Sequence, residues 1–128
     1  MRYLLDTHTF LWWILDDPQL SSRIRLILQQ QDNEIFLSVA SVWEISIKAQ
    51  LGRIPFGEDP AVVIPQQIAA NGLAVLPIEV PHALQVYRLP LLHRDPFDRM
   101  LVAQAMLEDL PLLTADPSIA QYQVSVIW

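Results

Sequence analysis

The chain has 128 residues and a formal net charge of −6, from 14 acidic and 8 basic side chains, and this length fits a single domain over residues 1–128. Hydrophobic residues make up 52% and charged residues 17%, which excludes a disordered chain or a coiled coil and predicts apolar surface for a partner or a second copy. Cysteine is absent, which excludes disulfides and thiolate metal sites and fits a reducing cytosol.

Short apolar runs alternate with helical patterns along the chain. In order, the pattern predicts a strand at 3–5, a helix at 21–30, a strand at 35–37, a helix at 39–50, a helix at 59–70 that Pro65 breaks or bends, a strand at 73–78, a helix at 95–107, and strands at 110–114 and 124–128. Residues 52–60 and 88–94 are predicted to be irregular loops. Strands that alternate with helices indicate an α/β fold, here a three-layer α/β/α sandwich with a parallel five-stranded sheet.

No segment has the character of a leader or a membrane anchor. Asp6 interrupts the first apolar run too early for a signal peptide. The longest uncharged stretch, residues 60–78, contains three prolines, which a lipid-facing helix disfavours. We therefore expect a soluble, cytoplasmic protein with no membrane partner. The negative charge also argues against a general nucleic-acid coat, although it is compatible with an enzyme whose acids gather metal ions.

Four of the 14 acids fall at one edge of the predicted sheet. Asp6 ends the first strand and Asp116 follows the fourth, while Glu44 and Asp98 lie in early turns of two helices. In an open parallel sheet the ligand site lies beyond the carboxyl ends of the strands. Four carboxylates would repel one another there unless a cation lay among them. Oxygen-only ligation selects Mg²⁺ or Mn²⁺ rather than zinc, and the chemistry implied is hydrolysis of a phosphodiester.

Each of these acids also has a purely structural interpretation. Glu44 fits a capping box with Ser41, and Asp95-Pro96 followed by Asp98 has the pattern of a helix start. Asp6-Thr7 and Asp116-Pro117 fit helix starts as well. The position of all four acids at one edge favours a metal site over four independent caps.

Four segments occur in an order that resembles PIN domains, and most closely the VapC-type toxins of prokaryotic toxin–antitoxin pairs: DTHTFLWW, SVASVWEISIKAQLGRI, LLHRDPFDRMLVAQA and LLTAD. The resemblance covers essentially the whole chain and implies a PIN-like fold of Rossmann-like topology. It implies an Mg²⁺-dependent endoribonuclease, with Mn²⁺ as a substitute, that hydrolyses RNA phosphodiester bonds with a metal-activated water. It also implies a homodimer and a small antitoxin partner whose peptide segment covers the acidic pocket, so that toxin and antitoxin form a hetero-oligomer.

The resemblance assigns the catalytic, metal-ligating acids residue by residue to Asp6, Glu44, Asp98 and Asp116. Asp6 and Asp98 would hold the principal cation, and the other two acids would complete its shell directly or through water. Asp98 stands three residues before Leu101 in the segment DRMLVAQA, and Asp95 competes with it as the third ligand.

Several further side chains are candidates around this site. Thr7 and Thr114 are candidates to hydrogen bond a ligating carboxylate or a metal-bound water. Arg99 and Lys48 are candidates to contact RNA phosphates. Lys48 also lies four residues after Glu44, where an exposed ion pair within the helix is the simpler interpretation. The three histidines, which come from separate segments without metal-ligand spacing, are expected to have ordinary structural roles: His8, His82 and His93.

Other enzyme classes fit the sequence poorly. A response-regulator receiver needs adjacent N-terminal acids and a late lysine, whereas Asp6 stands alone and no lysine follows Lys48. A haloacid-dehalogenase-type phosphatase needs a second aspartate where His8 stands. The P-loop and dinucleotide glycine motifs are absent. The alternative that stays open is a non-catalytic PIN-fold binding module that acts through a protein partner.

Overall fold

The computed structural model describes residues 1–54 and 56–128. The strands are β1 (Arg2–Leu5), β2 (Glu34–Ser38), β3 (Ala74–Leu76), β4 (Leu112–Leu113) and β5 (Val126–Ile127). The helices are α1 (Thr7–Ile14), α2 (Ser22–Gln29), α3 (Val39–Gln50), α4 (Pro60–Ala70), α5 (Val80–Arg88), α6 (Pro96–Glu108) and α7 (Pro117–Ala120).

The five strands form one parallel sheet in the order β3-β2-β1-β4-β5. Tyr3 of β1 pairs with Ile35 of β2, and Leu5 pairs with Leu113 of β4, so β1 is the central strand. This confirms the predicted α/β fold with a parallel five-stranded sheet. The order reverses between β1 and β4, and the crevice at the carboxyl ends beside such a reversal is where α/β proteins bind ligands.

Helices cover both faces of the sheet. Alternate residues of a strand point to opposite faces, so each strand contributes side chains to both layers. Tyr3 and Leu5 pack in one buried cluster with Phe10 of α1 and with residues of α2, α3 and α4. Leu4, which lies between them, packs in a second cluster with Leu101 and with other residues of α6 and α7. The central strand is therefore buried on both sides, as its continuous apolar run predicted.

Asp-Pro pairs open three of the helices. The side chains of Asp59, Asp95 and Asp116 each accept the amide two residues ahead, at the starts of α4, α6 and α7. The proline that follows each of them takes the first helical position, where an amide donor is not needed. These contacts confirm the structural interpretation of Asp95 and Asp116 as helix caps, and each cap uses only one carboxylate oxygen.

The structure corrects one local interpretation, at the start of α3, and narrows a prediction for α4. The cap of α3 is Ser38, whose Oγ accepts the amide of Ala40, so Ser41 lies inside the helix and does not form the predicted capping box with Glu44. Pro65 was predicted to break or bend α4, and the helix runs through this residue without a break. A proline removes one amide hydrogen bond, and its neighbour Ile64 is anchored in the core.

Helix α5 falls where no element was predicted. Its apolar side chains Val80, Leu84 and Tyr87 face solvent, and His82 is its buried residue, so hydrophobic periodicity gave no sign of the face that packs. The sequence does mark the start of the helix, because Pro81 takes an early helical position. In the structure the Glu79 amide donates to His82 Nδ1 over 3.0 Å at this end of the helix. None of the helices in the two described ranges has the length and apolar character needed to span a bilayer.

Candidate active site and metal centre

The four predicted acids lie on four elements around the reversal of the sheet. Asp6 follows β1 and begins α1, and Asp116 follows β4 and begins α7. Glu44 lies in the second turn of α3, and Asp98 lies in the first turn of α6. Asp6 and Glu44 are each 2% exposed and Asp98 is 8% exposed, whereas Asp116 is half-buried. Three of the acids are therefore removed from water and one lies at the rim.

One carboxylate oxygen of Asp6 is engaged and the other is not. Thr114 Oγ1 donates to Asp6 Oδ2 over 2.8 Å, whereas Oδ1 is buried and has no hydrogen-bond partner among the described residues. Burial raises the pKa of Asp6 above its ordinary value of 3.8, against the opposing effects of the Thr114 bond and the charge of His8. Leaving a buried acceptor unpaired costs about 1–3 kcal/mol, so Oδ1 is an atom that a ligand would satisfy.

Glu44 repeats this arrangement on α3. Lys48, one helical turn later, donates its ammonium group to Oε2, and Oε1 is buried without a partner in the described part of the chain. The ion pair predicted within the helix is present, but the Glu44 side chain is 2% exposed, so the pair is not the exposed one that was expected. Lys48 therefore pairs with a carboxylate that is buried, so this ion pair differs from an exposed pair on a helix surface.

Asp98 and Asp95 have different contacts. Asp95 caps α6, because its Oδ1 accepts the amides of Phe97 and Asp98 over 2.9 and 3.1 Å. The pKa of Asp98 is raised from 3.8 to about 8. Burial is the largest cause, and repulsion from four neighbouring acids adds to it: Asp95, Asp6, Asp116 and Glu44. The acids therefore form one electrostatic cluster, with Asp98 within range of all the others.

Thr114 connects two members of this cluster. Its hydroxyl donates to Asp6 and accepts the amide of Asp116 over 3.0 Å. The Thr7 hydroxyl instead donates to Ser41 Oγ over 2.8 Å and joins α1 to α3. Thr114 is thus the threonine that touches a carboxylate through its side chain, whereas Thr7 connects the two helices that carry Asp6 and Glu44.

The donor atoms at this edge of the sheet fit a hard divalent cation. Within residues 1–54 and 56–128, no three His, Cys, Asp or Glu side chains stand close enough to form a closed ligand set. The crevice nevertheless carries four carboxylates, and two of their oxygens, on Asp6 and Glu44, are buried without a partner in the described part of the chain. Oxygen donors of this charge suit Mg²⁺ or Mn²⁺, and such an ion would offset the repulsion that raises the pKa of Asp98.

The predicted phosphate contact Arg99 has a different environment. The residue is 8% exposed, and its guanidinium group donates to the carbonyl oxygens of Pro90 and Val86 and to the Tyr122 hydroxyl. These bonds connect the Arg99 guanidinium group to α5 and to the loop before α6, and a contact of Arg99 with RNA phosphates stays a prediction.

Two residues at the site were not predicted to take part in it. His93 Nε2 lies 3.2 Å from Asp98 Oδ2, and His93 Nδ1 lies 2.8 Å from the hydroxyl of Tyr122, which is 29 residues away in sequence. The local signal for His93 is its place in the loop just before α6, from which a side chain can reach the first turn of the helix. Tyr122 carries no signal in the sequence, because the fold alone brings it to His93.

Comparison with known proteins agrees with this fold. The PIN domain matches residues 3–124 of the chain. Ribonuclease VapC16 from Mycobacterium tuberculosis is 39% identical over 64 residues, a segment that covers 50% of this chain and 44% of that protein. The matched segment is therefore less than half the length of that relative.

Solved structures of the same fold cover almost the whole chain. VapBC2 from Rickettsia felis bound to a DNA fragment from their promoter has a TM-score of 0.75 at 14% identity, covering 100% of this chain and 99% of that one. FitAcB from Neisseria gonorrhoeae has a TM-score of 0.68 at 22% identity, with 100% and 97% covered. VapBC-1 from nontypeable Haemophilus influenzae has a TM-score of 0.65 at 16% identity, with 99% and 97% covered.

At these identities the structures show a shared fold, while the family match spans most of the chain. The resemblance predicted from the four segments is confirmed, and a relative bears the VapC name. The chain belongs to the PIN domain family.

Proposed function

We propose that this protein is an endoribonuclease that depends on a divalent cation and acts in the cytoplasm as the toxin of a toxin–antitoxin pair. The observation that carries the proposal is the pair of buried, unpartnered carboxylate oxygens on Asp6 and Glu44, at the edge where the order of the sheet reverses. Membership of the PIN domain family supports a nuclease, and the relative from Mycobacterium tuberculosis is named a ribonuclease.

Asp6, Glu44, Asp98 and Asp116 would hold Mg²⁺, with Mn²⁺ as a substitute. When bound, the cation supplies Lewis acidity, which makes a water molecule a better nucleophile and offsets charge on the phosphate. Asp98 is favoured over Asp95 as the third ligand, because Asp95 already accepts two amides of its helix and Asp98 lies within repulsion range of every other acid of the cluster.

The chain's own residues orient these carboxylates. Thr114 holds Asp6 through Oδ2 and leaves Oδ1 for a ligand. Lys48 holds Glu44 through Oε2 and leaves Oε1 in the same way. Because each contact fixes one oxygen of a buried acid, the site is ordered before a cation binds, and this reduces the entropy lost on binding.

An exposed tryptophan beside the acids, packed on a half-buried phenylalanine, supports an RNA substrate. Trp43, next to Glu44, packs edge-on against Phe97, next to Asp98, with ring centroids 5.1 Å apart, and the Trp43 side chain is exposed. Proteins bind single-stranded RNA by stacking its bases on exposed aromatic rings. The pair would give a base next to the cleaved phosphate a surface to stack on, and Lys48 would add a positive charge nearby.

Two apolar surfaces support the proposed partners. On α5, Val80, Leu84 and Tyr87 form an exposed stripe at helical spacing, which we assign to a second copy of the chain in a homodimer. Between α3 and α4 a groove of about 980 Å³ is lined by apolar residues that include Val42 and Ile64, and we assign it to a segment of the antitoxin. Monomeric proteins rarely leave contiguous apolar surface of this kind uncovered.

Cleavage of a mixed pool of structured RNAs tests the proposal. The purified protein, freed of any partner that co-purifies, is incubated with Mg²⁺, Mn²⁺ or EDTA beside Asp6→Asn and the matched control Asp32→Asn, which changes an exposed aspartate in the turn before β2. We expect discrete cuts by wild type and Asp32→Asn with either metal, and none with EDTA or by Asp6→Asn. Undiminished cleavage by Asp6→Asn would refute the site. A wild-type protein that neither cuts RNA nor binds Mn²⁺ would favour the non-catalytic binding module.

A further inference from the structure

A line of hydrogen-bonded side chains leads from the interior of the protein to Asp98. Arg99 Nη1 is 2.9 Å from the Tyr122 hydroxyl oxygen, that oxygen is 2.8 Å from His93 Nδ1, and His93 Nε2 is 3.2 Å from Asp98 Oδ2. Arg99 and Tyr122 are buried. The line therefore ends at an acid of the proposed cation site, while its other end lies inside the fold.

The chemistry of the groups fixes the direction of each bond. A guanidinium group can only donate, so the Tyr122 oxygen accepts from Arg99. An Asp98 carboxylate that is ionised, as it is when a cation is bound, can only accept, so His93 Nε2 carries the hydrogen between them. A neutral imidazole with its hydrogen on Nε2 leaves Nδ1 as an acceptor, so the Tyr122 hydroxyl donates its own hydrogen to Nδ1. Every bond in the line thus points from the arginine towards the acid.

The start of this line is held in place by the backbone. Arg99 also donates to the carbonyl oxygens of Pro90 and Val86, over 2.8 and 3.2 Å. The rings of His93 and Tyr122 lie 5.4 Å apart, and the Arg99 guanidinium carbon lies 6.0 Å from the centre of the Tyr122 ring. These contacts leave the imidazole little freedom to rotate away from Asp98.

We infer that His93 and Tyr122 are positioning residues that hold Asp98 Oδ2, so that the other carboxylate oxygen faces a divalent cation. This inference rests on the proposed function. His93 supplies the donor, and Tyr122 selects the imidazole tautomer that can donate. Without the Tyr122 hydroxyl, the imidazole is free to carry its hydrogen on Nδ1, and its Nε2 lone pair then faces the carboxylate. Hydrogen-bond partners of ligating groups typically change metal affinity by about 10–100-fold when they are removed.

Titration of the purified full-length chain with Mn²⁺ alone, followed by electron paramagnetic resonance, tests the inference. We expect Tyr122→Phe and His93→Leu each to weaken Mn²⁺ binding by about 10-fold or more. His93→Gln places an amide donor where Nε2 stands and should stay within about threefold of wild type, whereas His93→Asn, whose amide matches Nδ1, should bind as weakly as His93→Leu. Tyr3→Phe, on a buried tyrosine of β1, is the control and should bind as wild type does.

The variants separate positioning from a loss of stability. Thermal unfolding in EDTA shows which variants are folded. If the His93 variants are not folded, the comparison of Tyr122→Phe with Tyr3→Phe still tests the inference, because phenylalanine keeps the packing ring of each tyrosine. Wild-type affinity for Mn²⁺ in folded Tyr122→Phe would overturn the inference while the proposed function stands. If wild type itself binds no more Mn²⁺ than Asp6→Asn, the proposed cation site fails and the inference fails with it.

Discussion

Replacing Asp98 with asparagine should stabilise the metal-free protein at neutral and alkaline pH. Burial and the surrounding acids raise the pKa of Asp98 from 3.8 to about 8. Between pH 3.8 and about pH 8, Asp98 holds a proton in the folded protein that it has released in the unfolded chain. The free energy of unfolding therefore falls as the pH rises through this range and levels off above pH 8. Asparagine carries no titratable proton and therefore avoids this loss.

The size of the effect follows from the same two pKa values. Each pH unit between them costs at most about 1.4 kcal/mol, so the interval of about four pH units between 3.8 and 8 gives a ceiling of about 6 kcal/mol. The Asp98 side chain keeps 12% of its surface exposed, and solvent and salt weaken the repulsion, so we expect about 2–3 kcal/mol. For a chain of this length that corresponds to a rise in Tm of about 6–15 °C.

Differential scanning calorimetry in EDTA at pH 5, 7 and 9 measures this difference. The Tm advantage of Asp98→Asn over wild type should be small at pH 5, grow through pH 7 and reach its full value at pH 9, while the control Asp32→Asn follows wild type throughout. Saturating Mn²⁺ should raise the Tm of wild type and leave that of Asp98→Asn nearly unchanged, because the variant lacks a ligand. A Tm for Asp98→Asn at pH 9 in EDTA that equals or falls below that of wild type would refute the argument from charge repulsion.

Three further changes test other parts of the structure. Thr114→Val removes the donor to Asp6 Oδ2 and should weaken Mn²⁺ binding about 10-fold in calorimetric titrations. The control Thr9→Val removes a buried hydroxyl that donates to a backbone carbonyl and should leave the Mn²⁺ affinity unchanged. Equal losses of affinity in the two variants would contradict the assignment of Thr114. Tyr87→Asp introduces a charge into the exposed stripe of α5 and should convert a dimer to a monomer in light scattering, and an unchanged mass would remove the stripe from the interface. Leu101→Ala opens a cavity at a fully buried site and should cost about 3 kcal/mol in urea unfolding, against less than about 0.5 kcal/mol for the exposed Leu91→Ala.

The sheet and the positions of the acids were predictable because they depend on short-range patterns. A strand buried on both faces needs a continuous apolar run, and Leu4, flanked by Tyr3 and Leu5, supplies one. The parallel arrangement then brings the residues that follow such runs to one edge, as it does for Asp6 and Asp116. The prediction therefore needed only the order of the elements.

Features that depend on packing were not predictable in the same way. Helix α5 was missed because its regular apolar positions face solvent and its buried residue is a histidine. The bonds from Arg99 to the carbonyl oxygens of Pro90 and Val86 form only in the folded chain, so no pattern in the sequence indicates them. The contact between His93 and Tyr122 spans 29 residues, and one sequence offers no reason to pair them.

The four proposed ligands share an arrangement that connects the fold to the proposed chemistry. Each carboxylate has one oxygen engaged by the described residues: Asp6 by a threonine, Glu44 by a lysine, Asp98 by a histidine and Asp116 by a helix amide. Thr114 also accepts the amide of Asp116 and so links the orientations of Asp6 and Asp116. The donors to Glu44 and Asp98, Lys48 and His93, come from other parts of the chain. A site built only for stability would satisfy both oxygens or replace the buried acids with apolar residues, since an unpaired buried acceptor costs about 1–3 kcal/mol. Positioning one oxygen and leaving the other open is the arrangement expected where a hard cation completes the site.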